Sequence, residues 1–451
     1  MIDSATVQPV GTEEIRLLLE RLAAPSPAET DADRVERLHA MERLKNALAA
    51  AQARESVAFA VSQRERQVEA GYGPHRLGRG IADQVALARM ESPHKGSRLL
   101  GLAAALVHDL PLCLAALARG EVSEWRVTCV ARETVHLSRE DRRTVDADLG
   151  PRLHRMGDRQ AAGAARAMAQ RLDPAGAVER AARAQSERRV SIRPAPESMT
   201  YVTALLPMRD GVAVYAALTK IAQDALGSGD DRGKGQIMAD ALVERVTGRA
   251  VGAVPFTVNL VMTDTALLGG DCTPGSVPGH GSIPAAVGRA WVRATFAARV
   301  VPFEDLVTVR RLFTSPDGRD LIALESTSRV FGGLLRQMLE LRDQTCRTPW
   351  CEAPIRHGDH VRRWEDGGPT SLANGRGVCA RCNHAREAPG WDAAVMSAPG
   401  DPHEVALTTP TGHTYRSVAP PLLPGGPVSG RVGPASETVR SRSGPQEARA
   451  G

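Results

Sequence analysis

Four cysteines near the C-terminus constrain the fold of this chain more than any other feature. Cys346 and Cys351 are spaced C-x4-C in CRTPWC, and Cys379 and Cys382 are spaced C-x2-C in CARC. Two short-spaced pairs supply the four thiolates of a tetrahedral zinc ion and close the long loop between them. A redox-active C-x-x-C is the competing interpretation of CARC, but the second pair favours metal. We therefore predict a structural zinc site whose ligands are all protein groups, so that this ion cannot also bind substrate.

Length and composition set broad limits on the rest of the molecule. The chain has 451 residues, of which 24% are charged and only 3% aromatic, which suggests two or three soluble, helix-rich domains. The formal net charge of +5 and the pI near 9.0 permit contact with a polyanion without requiring it. The N-terminus lacks the pattern of a signal peptide, and no apolar run approaches the roughly 20 residues of a membrane span. We expect a cytoplasmic protein with no membrane contact.

The pattern along the chain predicts a mainly α protein with a mixed α/β middle region and a small C-terminal module. The Ala-, Leu-, Arg- and Glu-rich first half has helical spacing, the middle contains short β-branched runs, and the end is rich in Pro and Gly. The predicted divisions are a helical bundle over 12–192, a mixed α/β continuation and connector over 193–330, the zinc module over 331–400, and a disordered tail over 401–451.

Several local elements can be predicted from capping and turn signals. Ser138 is an N-cap candidate with Asp141 three residues later. The other expected elements are strands at 201–207 and 255–262, helices at 235–247 and over FGGLLRQMLELRDQ, a loop at 269–284, and a hairpin turning on Pro316-Asp317-Gly318.

The segment between and just after the cysteine pairs is dense in residues that can carry chemistry. It contains Asp359-His360, Gly367-Gly368, Asn374 and Asn383-His384. The residues before Trp364 suggest a strand, GGPTS a turn, and CARCNHAREA the start of a helix. We therefore expect a ββα unit whose halves are held together by the zinc ion.

These residues carry a resemblance to a known family. DHVRRWEDGGPTSLANGRGVCARCNHAREAPGW, with RDQTCRTPWCEAPIRH before it, resembles a zinc-stapled HNH endonuclease, a module of the ββα-metal class. Upstream, GEVSEWRVTCVARETVHLSREDR and DDRGKGQIMADALVERV resemble the helical domain of unknown function 222, which accompanies such nucleases in 13E12-repeat-like proteins of high-GC bacteria. The resemblance implies a metal-dependent endonuclease that hydrolyses DNA phosphodiesters and leaves 3′-hydroxyl and 5′-phosphate ends.

The resemblance also assigns a role to individual residues. It makes His360 the general base, and it gives Asn374 the task of pinning the hairpin and orienting that base. Asp359 and Asn383 would hold one divalent ion, and oxygen ligands of this kind suit Mg²⁺ or Mn²⁺. His384 is the alternative ligand to Asn383, and His357 could also lie near the ion.

Partners and rival functions stay open at this point. DNA is the expected partner, protein partners are unknown, and the arginines that could contact phosphate are Arg356, Arg362, Arg376 and Arg381. One rival is a non-catalytic, zinc-stabilised nucleic-acid-binding module. Another is a scaffold whose helical half binds protein while the nuclease is vestigial.

Overall fold

The computed structural model describes residues 10–24, 26–251, 260–297, 325–326, 329–398 and 401–422. The chain divides into two compact units. One contains residues 1–57 and 102–172, and the other contains residues 58–101 and 173–451. The second unit is therefore built from two separate stretches of chain.

Helices dominate the described residues. Their bounds are α1 Thr12–Ala23, α2 Asp31–Glu69, α3 Ile81–Ala88, α4 Pro93–His108, α5 Pro111–Ala118, α6 Glu124–Thr134, α7 Arg139–Leu149, α8 Asp158–Leu172, α9 Pro174–Ser186, α10 Met208–Gly227, α11 Lys234–Thr247, α12 Asp264–Leu268, α13 Ala285–Ala297, α14 Gly333–Asp343 and α15 Ala380–Arg386. No single helix in the described ranges is long and apolar enough to cross a membrane, and the one consecutive pair that passes together, α4 and α5, is bent by 105°.

The strands form small antiparallel sheets. Their bounds are β1 Arg189–Ala195, β2 Met199–Leu205, β3 Gly275–Val277, β4 Gly281–Ile283, β5 Glu325–Ser326, β6 His357–His360, β7 Thr370–Ser371, β8 Gly375–Val378, β9 Asp392–Val395, β10 Glu404–Thr408 and β11 Thr414–Val418. The pairs are β1 with β2, β3 with β4, β5 with β7 and β6 with β8, while β9, β10 and β11 form one sheet in the order β11-β10-β9.

The first unit is a helical bundle around one apolar core. Leu106, Leu110, Val127, Val130 and Leu149 are each no more than 1% exposed within this core. The spacing of these residues along α4 to α7 is that of helices with one buried stripe. Packing of this stripe therefore fixes the bundle.

The second unit joins α3 to the C-terminal module. Leu87 of α3 lies in one buried cluster with Val361, Trp391, Val405 and Leu407. The close approach of α3 and α4 requires glycine at position 96, because a Cβ there would lie 2.4 Å from the Cβ of Ala86. Part of the helical N-terminal half is thus a structural component of the C-terminal module.

Several local predictions are confirmed. The side chain of Ser138 accepts a hydrogen bond from the backbone N–H of Asp141 at the start of α7. The predicted strand at 201–207, the helix at 235–247 and the helix over FGGLLRQMLELRDQ correspond to β2, α11 and α14. Most of the strand expected at 255–262 and the hairpin at Pro316-Asp317-Gly318 lie outside the described residues.

Three expectations need correction. Residues 401–422, expected to be a disordered tail, include β10 and β11, and Val405 and Leu407 are buried. The division of the chain also differs from the expected bundle over 12–192, because 58–101 and 173–192 belong to the second unit. The segment 269–284, expected to be a loop, contains the short hairpin of β3 and β4. Tertiary burial decides all three, and local composition does not reveal it.

Candidate functional site

The four cysteines converge as the spacing predicts. Their sulfur atoms all lie within 4.8 Å of one another, with 3.8 Å between Cys351 and Cys379 and 3.6 Å between Cys351 and Cys382. A zinc ion about 2.3 Å from four sulfurs in a tetrahedron requires sulfur–sulfur distances of about 3.8 Å. The cluster therefore suits a structural zinc ion.

The zinc cluster joins the two halves of the predicted ββα unit. Cys379 is the N-cap of α15, and its sulfur accepts a hydrogen bond from the backbone N–H of Cys382. The first pair lies on a turn tied to β8, since the backbone N–H of Arg347 donates to the carbonyl oxygen of Gly377. The strand pair β6–β8 and helix α15 are thereby held in one orientation.

The register of β6 and β8 determines which side chains meet. Asp359 lies directly opposite Arg376, and His360 lies opposite Gly375. The Phe331 ring fills the space beside Gly375, where an added Cβ would lie 2.6 Å from its Cε1 atom. Because successive residues of a strand point to opposite faces, Asp359 and His360 present their side chains on different sides of β6.

Asp359 is paired with two arginines. Arg376 donates from Nε (3.0 Å) and Nη2 (2.8 Å) to Asp359 Oδ2, and Arg386 donates from Nη1 (2.8 Å) to the same oxygen. Burial raises the pKa of Asp359, but attraction to the two guanidinium groups outweighs burial, so that the pKa lies below its ordinary value. The carboxylate is therefore ionised and its side chain is 20% exposed.

The His360 ring is held on several sides. Its Nε2 atom lies 2.8 Å from the Thr370 hydroxyl, and its ring centroid lies 4.7 Å from that of Phe331 and 5.8 Å from that of Trp364. Burial lowers the pKa of His360 below 6.5, with Asp359 opposing that shift and Arg386 adding to it. The imidazole is therefore neutral at neutral pH, which is the state that a general base requires.

Asn374 fastens the loop that joins β6 to β7. Its Oδ1 accepts from the backbone N–H of Arg362 (2.8 Å), and its Nδ2 donates to the carbonyl oxygens of Arg362 (3.0 Å) and Pro369 (2.8 Å). The side chain is 7% exposed. One amide thus joins the two ends of the loop, at Arg362, two residues after His360, and at Pro369, directly before Thr370.

The two candidates for the further ion ligand occupy different positions. Asn383 precedes Arg386 by three residues on α15 and so shares a face with it, and Arg386 contacts Asp359. The side chain of His384 is 62% exposed, with Nδ1 3.7 Å from Glu387 and its ring centroid 6.3 Å from that of His357.

The predicted phosphate-contacting arginines differ in accessibility. Arg356 and Arg362 are exposed. Arg376 is 1% exposed and bound to Asp359, so its assignment as a phosphate contact is wrong. Arg381 is half-buried, with Nε 3.0 Å from Asp83 Oδ1 and Nη2 2.7 Å from Ser97 Oγ. Its contacts join α15 to α3 and α4, so Arg381 serves packing in this structure.

Some residues of the site escaped prediction. Arg386 donates to Asp359 and to the carbonyl oxygens of His360 and Val361, and its position in the sequence does not indicate these contacts. Thr370 and Phe331 gave no signal, because their contacts with His360 depend on chain folding. Asp83, the one charged residue of α3, is the hint in the sequence of a partner for Arg381.

These features define a zinc-stapled ββα module of the nuclease type. They are a paired strand that carries Asp-His, a loop held by Asn374, and a helix joined to both by the four cysteines. Comparison with family models agrees: the model described as HNH endonuclease matches residues 344–388. The model described as a domain of unknown function (DUF222) matches residues 35–259. The chain thus combines a DUF222 region with an HNH endonuclease domain. No curated protein and no solved structure was found to match it.

Proposed function

We propose that the protein is a metal-dependent endonuclease that hydrolyses DNA phosphodiester bonds, with His360 as the general base. The observation that carries the proposal is that a neutral, partly exposed His360 directly follows an ionised, partly exposed Asp359 along β6. In a hydrolysis of this class, a base takes a proton from water while positive charge stabilises the phosphate. The match of residues 344–388 to HNH endonucleases supports the choice of reaction.

Asn374 supports the base by holding its loop. Its three hydrogen bonds fix the backbone at Arg362 and Pro369, on either side of the turn that carries Trp364 against the His360 ring. Loss of this amide would leave three backbone groups without their partner. We assign Asn374 to orienting His360, and the amide itself takes no part in proton transfer.

We assign Asp359 of β6 and Asn383 of α15 to a hard divalent ion. Arg376 and Arg386 both donate to Oδ2 of Asp359, so Oδ1 is the oxygen that we assign to the ion, together with the amide oxygen of Asn383. Carboxylate and amide oxygens suit Mg²⁺ or Mn²⁺, which would stabilise negative charge on the phosphate. The positive charges of the two guanidinium groups beside this one carboxylate disfavour the binding of a divalent cation. We therefore expect weak ion binding without DNA and tighter binding when phosphate adds negative charge.

Cleavage of supercoiled plasmid by the purified full-length chain tests this proposal. The parent should nick DNA only when Mg²⁺ or Mn²⁺ is present, and His360→Ala should lower the rate by about 10²- to 10⁴-fold, the usual contribution of general acid–base catalysis. His384→Ala should cut like the parent, whereas Asn383→Ala should cut poorly and recover in part at high Mn²⁺. Equal cleavage by the His360→Ala protein and the parent, with contaminating nuclease excluded, would refute the assignment.

One observation favours a second candidate function, a non-catalytic zinc-stabilised nucleic-acid-binding module. The carboxylate of Asp359 already has two cationic partners, as expected of a structural ion pair. Direct measurement of Mn²⁺ binding by electron paramagnetic resonance in the presence of uncleavable phosphorothioate DNA separates the two candidates. If the protein is an endonuclease, the parent should bind Mn²⁺ and the Asp359→Asn protein should not. If it is a binding module, neither protein needs to bind Mn²⁺.

A further inference from the structure

Thr370 occupies a position next to His360 that no family assignment describes. It lies in β7, is 1% exposed, and its Oγ1 atom lies 2.8 Å from His360 Nε2. A neutral imidazole has one protonated nitrogen, which donates, and one unprotonated nitrogen, which accepts. A hydroxyl can satisfy either kind, so the tautomer of His360 depends on what the other ring nitrogen, Nδ1, must do.

Both partners of this hydrogen bond are held in place from elsewhere. The His360 ring lies against Phe331 and Trp364, and its carbonyl oxygen accepts from Arg386. Thr370 follows Pro369, whose carbonyl oxygen accepts from Asn374, and it pairs with Ser326 across β5 and β7. A flip of the ring would break the hydrogen bond between Nε2 and Thr370. Nε2 is committed to the Thr370 hydroxyl, and Nδ1 is the nitrogen that remains for water.

We propose that Thr370 is a positioning residue that fixes His360 in the Nε2–H tautomer. In this arrangement Nε2–H donates to Thr370 Oγ1, and the lone pair is on Nδ1. The inference rests on the proposed function, in which His360 is the base, and it names Nδ1 as the basic atom. Thr370 donating to Nε2 instead would put the proton on Nδ1, and that nitrogen could not accept another.

The proton transfer balances with this assignment. One O–H bond of the attacking water breaks and its proton goes to His360 Nδ1, while the water oxygen forms a bond to phosphorus. The bond from phosphorus to the leaving 3′ oxygen breaks with its electron pair on that oxygen, which takes a proton from solvent. The imidazolium then carries a proton on each nitrogen. Because Nε2–H donates to Thr370 both before and after the transfer, the hydroxyl stabilises the ring orientation throughout.

Three variants of the full-length chain test the proposal. Thr370→Val removes the hydroxyl at nearly constant volume, and Thr370→Ser keeps the hydroxyl. Thr409→Val is the matched control, since Thr409 is also buried (3% exposed) in this unit but bonds Thr411 and His413. Zinc content and circular dichroism verify the fold of each variant.

The tautomer is read by ¹⁵N NMR of histidine-labelled protein, with the His360 resonances among the 12 histidines assigned from their loss in His360→Gln. The parent, Thr370→Ser and Thr409→Val should show the Nε2–H form, and Thr370→Val should show a mixture. In single-turnover cleavage, Thr370→Val should be slower by about 10-fold, the worth of one hydrogen bond, and the other variants should stay within about 2-fold of the parent.

Two results would overturn the proposal. One is an Nδ1–H tautomer in the parent, and the other is a Thr370→Val protein that keeps both the parent's tautomer and its rate. Should Thr370→Val fail to fold, the tautomers of the parent and Thr370→Ser still decide. The tautomer is observed whether or not the chain cuts DNA, so failure of the endonuclease proposal and failure of this one are separate results.

Discussion

Replacing Leu87 with Ala should loosen the zinc site, although Leu87 lies in the DUF222 match and far from the cysteines in sequence. Leu87 is 1% exposed and packs with Trp391, Val361 and Leu407. Truncation of a buried leucine to alanine costs about 2–5 kcal/mol through lost burial and the cavity left behind. Because α3 covers the module that the cysteines hold together, this cost falls on the second unit.

The expected change in the rate of zinc release follows from the equilibrium between the folded module and its transiently unfolded form. If zinc leaves through transient unfolding of the module, a loss of about 2 kcal/mol raises the open population roughly 30-fold, and larger losses raise it more. Zinc release into an excess of a chromogenic chelator should therefore be at least about 30-fold faster for Leu87→Ala than for the parent.

Leu110→Ala is the matched control for this experiment. Leu110 is 0% exposed and belongs to the core of the first unit. It should lower the melting temperature of that unit without changing zinc release. Parent-like zinc release from a folded Leu87→Ala protein, or equal acceleration by Leu110→Ala, would refute the assignment of α3 to the zinc module.

Four further predictions concern the second unit. Cys379→Ser should lose about one zinc per chain by atomic absorption and become protease-sensitive between Phe331 and Leu422, since zinc binding and folding of such modules are one equilibrium. A chain ending at residue 400 should melt lower than one ending at 422, because it lacks β10 and β11. Burial lowers the pKa of His403 from 6.5 to about 4, so its neutral form stabilises the folded state. The free energy of unfolding should therefore be highest above pH 6.5 and fall on acidification, by about 1.4 kcal/mol at about pH 5.5. Urea titrations should show that the His403→Gln protein does not lose this stability. The cleavage rate should fall on acidification through a His360 pKa below 6.5, and a rate that falls already above that value would argue against His360 as the base.

The sequence predicted those parts of the site that depend on short-range spacing. The cysteine pairs are close in sequence, and the Ser138 cap spans three residues, so local rules apply to both. The ion pair of Asp359 with Arg376 depends on strand register, which the intervening loop sets through Asn374. No local pattern reports that an arginine between two glycines will be buried against a carboxylate.

The C-terminal sheet was missed for a different reason. LTTPTGHTYRS contains a turn signal, Pro410 followed by Gly412, and Gly412 adopts a positive φ of 84° in the structure. The flanking strands are only five residues long each, and the buried residues Val405 and Leu407 of β10 pack with Trp391 and Leu87. Strands this short show little alternation of apolar and polar residues, so the expectation of a disordered tail rested on the Pro- and Gly-rich composition of the segment.

The two-part construction of the second unit sets an order for folding during synthesis. Leu87 leaves the ribosome about 300 residues before Trp391, its partner in the buried cluster. At about 5–20 residues per second, the apolar side of α3 waits on the order of 15–60 s for the chain that covers it. Through that interval α3 is a target for chaperones that hold exposed apolar segments. The Asp359–His360 site therefore matures only after Trp391, Val405 and Leu407 have been synthesised.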